Sequence, residues 1–200
     1  MDQLTQEKWD KASKGFDRFG RGPERRWAPY KRDFFSAMQG RVLFLAVGTG
    51  LDIGFFPPGQ TITGIDISPK MLEQAEERAA AYDGEMTLKV MDVHEMEFED
   101  ASFDQVFTSC TFCSVPDPVN GLKSLRRVLK PGGELQMFEH TGSRWFPFNM
   151  MMHVMTPLTR KLGPEMNRNT IQNVQLAGYK IRRVRNLYLD IVKTIVAVNP

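Results

Sequence analysis

Short apolar runs recur through the middle of the chain and are separated by segments with helical periodicity. The run at residues 42–47 is continuous, which is typical of a parallel strand covered on both faces. We predict β-strands at residues 42–47, 61–66, 86–91, 103–109 and 134–139.

Two helices between these strands have clear start signals. Ser68-Pro69 and Asp117-Pro118 each place an N-cap residue before a proline, which suits the first helical turn. The first helix is predicted to run to about Ala81, and the second to end where Lys130-Pro131-Gly132-Gly133 turns into the next strand. This alternation of strands and helices implies a parallel sheet with right-handed crossovers.

The two ends of the chain break the alternation. Residues 1–38 are predicted to form an N-terminal helical cap of two segments, the second beginning near Pro29. Residues 145–177 are predicted to form a substrate-side helical segment, apolar and rich in methionine over residues 145–162. Residues 179–198 are predicted to form two strands that meet at Asp190, and so short a connection forces an antiparallel pair.

These elements predict a single domain over residues 1–200, with a cofactor-binding core at residues 40–140. The expected fold class is α/β, with a Rossmann-like seven-stranded, mostly parallel sheet and an antiparallel C-terminal edge strand. The composition, 42% hydrophobic and 25% charged residues, is ordinary for a soluble globular domain.

The sequence carries no signal for membrane insertion or export. No run approaches the roughly 18 apolar residues of a spanning helix. Residues 1–8 lack the basic-then-apolar layout of a signal peptide. We therefore expect a cytoplasmic protein, with peripheral contact to a membrane surface left open.

Charge is divided unevenly along the chain. The net charge is +3 over residues 1–40, −10 over residues 41–120 and +9 over residues 121–200, within a total of +2. A basic C-terminal portion could attract an anionic partner such as a phospholipid surface. Alternatively, the acidic and basic portions screen each other across the folded surface, and the sequence leaves both interpretations open.

Cys110 and Cys113 form a C-x-x-C pair directly after a predicted strand. Two cysteines are too few for a typical zinc site, and His94, His140 and His153 are scattered along the chain. A thioredoxin-like pair would open a helix, which this pair does not. We predict no metal site and interpret the cysteines as thiols that line a pocket, with redox chemistry as the weaker alternative.

The turn Gly48-Thr49-Gly50 follows the first strand directly. Two glycines let the backbone approach a ligand closely. Ligands of open α/β sheets bind at the carboxyl ends of the strands, where this turn lies. Asp66, at the end of the second strand, can accept hydrogen bonds from both hydroxyls of a ribose. Together these residues predict a nucleoside-binding site.

A nicotinamide dehydrogenase would share these features, but its fingerprint is G-x-G-x-x-G. Counting from Gly48, the third glycine position is occupied by Ile53, and Gly54 comes one residue late. The predicted antiparallel strands at the C-terminal end of the sheet are also not found in that fold. The sequence therefore disfavours a dehydrogenase.

Five motifs, in the same order along the chain, resemble those of class I S-adenosylmethionine-dependent methyltransferases. They cover residues 40–140 in the order found in that family, and S-adenosylmethionine is the cofactor they imply. The motifs are Gly48-Thr49-Gly50, Gly64-Ile65-Asp66-Ile67-Ser68-Pro69-Lys70-Met71-Leu72, Met91-Asp92-Val93, Ser102-Phe103-Asp104 and Leu129-Lys130-Pro131-Gly132-Gly133.

The resemblance also implies which residues bind the cofactor. Gly48 and Gly50 would pass beneath its methionine part, Asp66 would hold the ribose, and Asp92 would meet the adenine amino group. The complete set of implied contacts is Val47, Gly48, Thr49, Gly50, Asp66, Ile67, Met71, Asp92, Val93 and Ser109.

One position departs from the family pattern. The family usually has an acidic residue two positions before the first glycine of this turn, and here that position is Ala46. Either cofactor affinity is weakened or Asp52 compensates, and the sequence leaves the two open.

Within the class, the chain resembles the type 11 group, which includes quinone C-methyltransferases and bacterial phospholipid N-methyltransferases. The stretches Phe55-Phe56-Pro57-Pro58-Gly59, Cys113-Ser114-Val115 and Glu139-His140 are also similar to methyltransferase-like thiol S-methyltransferases.

An amine, thiol or phenol must lose a proton to accept a methyl group. His140 is the candidate base, because it ends a central strand and its ordinary pKa suits the task; its alternative role is a structural histidine bonded to a loop carbonyl.

The walls of the acceptor site are predicted to come from outside the core sheet. Aromatic and methionine side chains among basic neighbours suit an amphiphile or a membrane face. Two segments lie outside the core sheet, residues 1–38 and residues 145–162. Alternatively, both of these segments cap the sheet as ordinary core helices. The predicted acceptor contacts are Trp9, Tyr30, Cys113, Trp145 and Met151.

Three functions remain open at this point. The first is N-methylation of an amphiphilic lipid of the phosphatidylethanolamine type at an anionic membrane surface. The second is methylation of a small apolar thiol or quinol, and the third is cofactor binding without turnover. A nucleic-acid partner is not expected, since no recognised module or aromatic-basic face is present, and the sequence specifies no oligomeric state.

Overall fold

The computed structural model describes residues 2–162 and 164–200, with side chains at these positions except 18–21, 23, 24 and 160–162. Its strands are β1 Arg41–Leu45, β2 Thr61–Asp66, β3 Glu85–Val90, β4 Phe103–Ser109, β5 Leu129–His140, β6 Lys180–Tyr188 and β7 Val192–Val198. Its α-helices are α1 Gln3–Phe35, α2 Pro69–Ala80, α3 Pro118–Val128, α4 Phe148–Leu162 and α5 Thr170–Leu176. Two 3₁₀ helices span Leu51–Phe55 and Val93–Glu95.

The strands form one seven-stranded sheet in the order β3-β2-β1-β4-β5-β7-β6. Strands β1 to β5 pair in parallel, whereas β7 is antiparallel to both β5 and β6. The predicted mostly parallel sheet with antiparallel C-terminal strands is confirmed. In detail, β7 lies between β5 and β6, so the edge is formed by β6.

The predicted helix starts are also present. The side chain of Ser68 accepts a hydrogen bond from the N–H of Met71, and that of Asp117 accepts one from the N–H of Asn120. The prediction of two N-terminal segments is wrong, because α1 is a single helix. Its backbone remains helical through Pro29, which removes only one intrahelical donor.

The connection between β1 and β2 contains only the short 3₁₀ helix Leu51–Phe55. A full crossover helix would cover this face of the sheet, and here the second half of α1 covers it instead. Its end buries Phe34 and Phe35 in an aromatic cluster with Phe44, Phe56, Phe107 and Phe138. This packing fixes the direction of α1, whose first half runs over the carboxyl ends of the strands.

Basic residues are concentrated at one edge of the sheet. Strand β6 forms this edge and carries Lys180, Arg182, Arg183 and Arg185 without an acidic residue, whereas β3, at the other edge, carries one acidic and one basic residue, Glu85 and Lys89. Within the described residues, no helix has the length and apolarity needed to cross a bilayer.

Candidate functional site: a cavity at the carboxyl ends of β1 to β4

A cavity of about 200 Å³ opens at the carboxyl ends of the parallel strands. Its floor is the turn after β1, its sides are the ends of β2, β3 and β4, and its roof is the first half of α1. The cofactor contacts predicted from the sequence that line it are Val47, Gly48, Thr49, Asp66, Ile67, Met71, Asp92, Val93 and Ser109.

Gly50 is the one predicted cofactor contact outside the cavity wall. It has φ +82°, and an added Cβ would approach Ile53 Cδ1 to 2.9 Å and Ala75 Cβ to 3.1 Å. Gly48 has φ +57° and does line the cavity. Both positions are left-handed, so glycine is favoured at each. Gly48 faces the ligand side of the turn, whereas Gly50 lets the turn close against α2.

Asp66 links the end of β2 to the glycine turn. Its Oδ2 accepts a hydrogen bond from the Gly48 N–H at 2.8 Å, and its Oδ1 accepts one from the Ser68 N–H at 2.9 Å. Burial raises the pKa of Asp66, while these backbone donors oppose the shift. A carboxylate has about four lone-pair sites, so it retains acceptor capacity for a ribose.

Asp92 caps the 3₁₀ helix at the end of β3. It accepts hydrogen bonds from the N–H of His94 at 2.9 Å and from the N–H of Asp2 at 3.0 Å, and His94 Nδ1 lies 2.9 Å from its Oδ1. Burial pushes the pKa of Asp92 up, but these hydrogen bonds outweigh it and leave the pKa lowered. His94 also lines the cavity. Sequence reasoning missed it, although it stands directly after Asp92-Val93.

The roof of the cavity is formed by the start of α1, of which only Trp9 was predicted. One backbone N–H and two acidic side chains hold the roof in place, and the spacing of seven residues between Asp10 and Asp17 was the available sequence signal. The Asp2 N–H donates to Asp92 Oδ2, Asp10 accepts from Ser68 Oγ, and Asp17 accepts from Thr49 Oγ1 and pairs with Arg78. The lining residues from this segment are Asp2, Thr5, Trp9 and Phe16.

The end of β4 supplies the wall opposite β3. Ser109 Oγ is buried and has no hydrogen-bond partner among the described residues. Together with the left-handed Gly48 and the spare acceptor sites of Asp66, this orphaned hydroxyl fits a polar ligand that extends from β3 to β4. A nucleoside with a polar tail, such as S-adenosylmethionine, meets these requirements.

Behind this wall, Glu139 is 0% exposed and anchors the loop after β4. It accepts hydrogen bonds from Thr108 Oγ1 at 2.7 Å, Thr111 N at 3.2 Å and Phe112 N at 3.1 Å. Burial raises the pKa of Glu139 to about 7, against the effect of these three donors. Glu139 therefore orients the loop that carries the cavity-lining Thr111.

The raised pKa predicts a pH dependence of stability. Between its ordinary value of 4.5 and about 7, Glu139 binds a proton in the folded protein but not in the unfolded chain. Stability from this group is thus present at low pH and is lost as the pH rises through 7. We expect the unfolding free energy of wild type, relative to Glu139→Gln, to fall by about 3 kcal/mol from pH 4.5 to 7.5 in urea titrations. A constant difference across this range would contradict the assignment.

The structure does not bring the predicted base to the cavity. His140 is half-buried at the end of β5, and burial together with Lys193 lowers its pKa, so that it is neutral at pH 7. It is absent from the cavity wall, as are four predicted acceptor contacts. Those four are Tyr30, Cys113, Trp145 and Met151.

The two cysteines occupy different environments and are not bonded to each other. Cys110 has a left-handed φ of 53° and lines the cavity, whereas Cys113 is buried and its Sγ lies 3.4 Å from the Cys110 carbonyl oxygen. Burial, with the Glu139 carboxylate nearby, raises the pKa of the Cys113 thiol to about 12, so this thiol is protonated at neutral pH. Cys110, in contrast, is exposed.

Sequence reasoning also missed Lys31, which enters the cavity from α1. Its Nζ lies 2.6 Å from Asp52 Oδ1, and the two side chains are 4% and 12% exposed. Both residues line the cavity. Lys31 Nζ also lies 5.7 Å from the centre of the Phe138 ring, which places the pair on the β4–β5 side of the glycine turn.

Helix α4 presents an apolar face outward. We call the set Trp145, Phe146, Met150, Met151, Val154, Met155 and Leu158 the α4 apolar face; Val154 is 74% exposed. Met152, on the other side of the helix, is buried. The segment that follows α4 reaches the cavity-side loop, where Glu165 N donates to the Cys113 carbonyl at 2.8 Å and Arg168 to that of Val115 at 3.1 Å.

Comparison with known proteins identifies relatives of this chain. A family profile described as "Methyltransferase domain" matches residues 43–137. The ubiquinone/menaquinone biosynthesis C-methyltransferase UbiE of Geotalea daltonii is 33% identical, over 76% of this chain and 69% of its own. The human thiol S-methyltransferase TMT1B is 30% identical, over 76% and 70%. A phosphatidylethanolamine N-methyltransferase of Cereibacter sphaeroides is 34% identical, over 62% and 61%.

Solved structures share the fold. A putative methyltransferase from Bacillus halodurans superposes with a TM-score of 0.67 at 14% identity, covering 86% of this chain and 98% of its own. Phospholethanolamine N-methyltransferase 2 of Haemonchus contortus, in complex with phosphomonomethylethanolamine and S-adenosylhomocysteine, has a TM-score of 0.67 at 20% identity. That match covers 88% of this chain and 53% of the nematode protein.

Proposed function

The chain belongs to the class I S-adenosylmethionine-dependent methyltransferases, and we propose that it methylates an amphiphilic acceptor at an anionic membrane surface. The acceptor we infer is a lipid amine of the phosphatidylethanolamine type. The observation that carries this proposal is the exposed α4 apolar face, which the exposed Arg144 directly precedes in the sequence.

The cofactor, when bound, supplies a methyl group activated by its sulfonium. We propose that Asp92 and Val93 hold its adenine, that Asp66 holds its ribose, and that Gly48 and Ser109 contact its methionine part. The spare acceptor sites of Asp66 and the orphaned hydroxyl of Ser109 support these assignments. Since the methyl group is already activated, the protein mainly aligns the acceptor and excludes water, and alignment alone is worth several orders of magnitude in rate.

The α4 apolar face supports a membrane-bound acceptor. Residues 150, 154 and 158, with 151 and 155, recur at helical spacing and form one stripe. The Arg144 side chain, just before the helix, is 85% exposed. An apolar stripe beside basic groups is the pattern of a helix that lies in the interface of an anionic bilayer.

The distribution of charge supports the same orientation. Strand β6 places four basic residues at one edge of the sheet, whereas β3, at the other edge, carries one acidic and one basic residue. An anionic surface would attract the β6 edge more strongly than the β3 edge. The contacts of Glu165 and Arg168 with the cavity-side loop connect α4 to the wall through which an acceptor would enter.

The buried thiol of Cys113 does not compete with the acceptor. Its raised pKa, about 12, keeps it protonated, and a protonated thiol is a poor nucleophile. His140 remains a predicted proton acceptor, because its lowered pKa keeps it neutral at pH 7. It lies off the cavity wall, so the proposal does not depend on it.

A second candidate function is methylation of a small apolar thiol or quinol. The similarity of this chain to UbiE of Geotalea daltonii and to the human thiol S-methyltransferase TMT1B, each over 76% of this chain, supports this candidate. In that case turnover would need no lipid and would follow the ionised fraction of the acceptor.

Vesicle binding provides a direct prediction for the α4 apolar face. We expect wild type to sediment with vesicles that contain phosphatidylglycerol, to bind phosphatidylcholine vesicles weakly, and to be released by salt. Replacing Val154 and Leu158 with aspartate should weaken binding at least roughly tenfold, since two buried apolar contacts are lost. Leu176→Asp, an exposed leucine on α5, is the matched control. Equal binding of all three proteins would refute this docking surface.

The acceptor itself is tested with methyl-labelled S-adenosylmethionine and three separate pools. The pools are phosphatidylethanolamine in anionic vesicles, small apolar thiols, and quinols, each analysed for labelled product by mass spectrometry. Label in phosphatidylethanolamine supports the proposal, and label in a thiol or quinol without lipid supports the second candidate. Absence of product from every pool would contradict both.

A further inference from the structure

We propose that the Lys31–Asp52 ion pair is the receptor for the amino-acid end of the cofactor, with Lys31 binding the α-carboxylate and Asp52 the α-ammonium. The inference rests on the assignment of S-adenosylmethionine as cofactor. It gives a binding function to two residues that lie outside the five sequence motifs.

The position of the pair suits this role. The carboxyl ends of β3, β2, β1 and β4 lie in that order along the sheet, about 4.8 Å apart. With adenine at Asp92 and ribose at Asp66, the sulfonium lies over the turn after β1. The amino-acid end then points toward β4 and β5, where Lys31 and Asp52 line the same cavity.

The charges of the pair are complementary to the ligand. An α-amino acid is a zwitterion, so its carboxylate and ammonium can face a lysine and an aspartate in a closed ring of four alternating charges. Such a ring is neutral overall, and each charge in it faces charges of opposite sign. This matters in a site where both side chains are nearly removed from solvent, because desolvated charges need full pairing.

A contact that only packs α1 against the glycine turn does not require the charges of Lys31 and Asp52. Burying an ion pair costs desolvation that its own attraction often fails to repay, and apolar contacts of the same size serve packing at least as well. The cavity offers a reason to retain the pair.

The other acidic residues of the cavity are committed elsewhere. Asp66 and Asp92 accept backbone N–H groups at the β2 and β3 ends, and Asp2 caps α1. Asp52 stands apart from them, and its Oδ1 accepts a hydrogen bond from the Lys31 ammonium at 2.6 Å. It is therefore the cavity carboxylate placed to meet an ammonium beyond the glycine turn.

The test compares ligands that differ only at this end. S-adenosylhomocysteine carries the complete amino acid, methylthioadenosine lacks it, and decarboxylated S-adenosylmethionine lacks only the carboxylate. Calorimetric dissociation constants are measured for wild type, Lys31→Met and Asp52→Asn. Lys11→Met, an exposed lysine on the same helix, is the control.

We expect each of the two variants to bind S-adenosylhomocysteine roughly 10- to 100-fold more weakly, as for the loss of one charged hydrogen bond. Methylthioadenosine should bind wild type and both variants within twofold, which also shows that the variants are folded. With decarboxylated S-adenosylmethionine, the penalty of Lys31→Met should vanish while that of Asp52→Asn persists.

If the two variants lose affinity equally for S-adenosylhomocysteine and for methylthioadenosine, the ion pair has only a structural role, and the inference is overturned. Unchanged affinity of both variants for S-adenosylhomocysteine would overturn it as well. In either case wild type still binds the nucleosides. Failure of wild type to bind any of the three ligands would instead remove the cofactor assignment on which the inference rests.

Discussion

Replacing Asp66 with alanine is expected to weaken binding of S-adenosylhomocysteine by roughly 100- to 1,000-fold, which corresponds to two hydrogen bonds to a charged group. The loss has two sources. The ribose loses its acceptor, and the Gly48 N–H loses the oxygen that holds the glycine turn at 2.8 Å. Isothermal calorimetry measures the change, and methyl transfer should fall in parallel at cofactor concentrations below saturation.

Asp66→Asn and Glu73→Ala serve as comparisons. Asparagine keeps one acceptor oxygen, so its loss should be intermediate, whereas Glu73 lies exposed on α2 away from the cavity and should have no effect. Thermal unfolding of each variant separates a folding defect from a binding defect. An affinity of folded Asp66→Ala within threefold of wild type would show that this carboxylate does not hold the ribose.

Replacing Glu139 with alanine should cause the largest loss of stability, about 3–5 kcal/mol. The carboxylate is 0% exposed and satisfies the Thr108 hydroxyl and the N–H groups of Thr111 and Phe112. Alanine leaves all three donors buried without a partner, and each such donor costs about 1–3 kcal/mol. Urea-induced unfolding at pH 6, below the pKa of about 7, gives the value directly.

Glu134→Ala on the same strand is the matched control. Glu134 pairs with an exposed Arg182, and solvent-exposed pairs contribute about 0–1 kcal/mol. The two glutamates therefore differ in the number of buried donors that depend on them. Similar losses for both variants would show that the loop after β4 does not depend on Glu139.

The part of the site that follows strands was predictable from the sequence. Gly48, Asp66, Asp92 and Ser109 each stand at or just beyond the end of a predicted strand. Parallel strands bring their carboxyl ends to one edge of the sheet, so recognising the strands was enough to place these residues together. The N-caps at Ser68 and Asp117 were predictable for a similar reason, since capping is a local property of the sequence.

The roof of the cavity was not predictable in the same way. Lys31 meets Asp52 because α1 packs where a crossover helix would otherwise lie, and helical periodicity does not specify which part of the sheet a terminal helix covers. Trp9 was predicted from composition alone, and the same reasoning also selected Tyr30 and Met151, which the structure places off the cavity wall. Long-range packing, rather than local pattern, determines these positions.

The positions of the Glu139 and His140 side chains show a similar limit of prediction from sequence. Strand alternation places these two adjacent side chains on opposite faces of the sheet. It does not indicate which face carries the cavity or which side chain finds buried donors. Glu139 holds the loop after β4, while His140, chosen for its ordinary pKa, lies beside Lys193 away from the cavity wall.

Calorimetric titration of the wild-type protein with S-adenosylhomocysteine tests the central claim most directly. With the glycine turn, Asp66, Asp92 and Ser109 around one cavity, we expect a single site per chain with a dissociation constant in the micromolar range. We also expect competition by methylthioadenosine at the same site. No heat of binding at millimolar nucleoside, from a protein shown to be folded, would contradict the account.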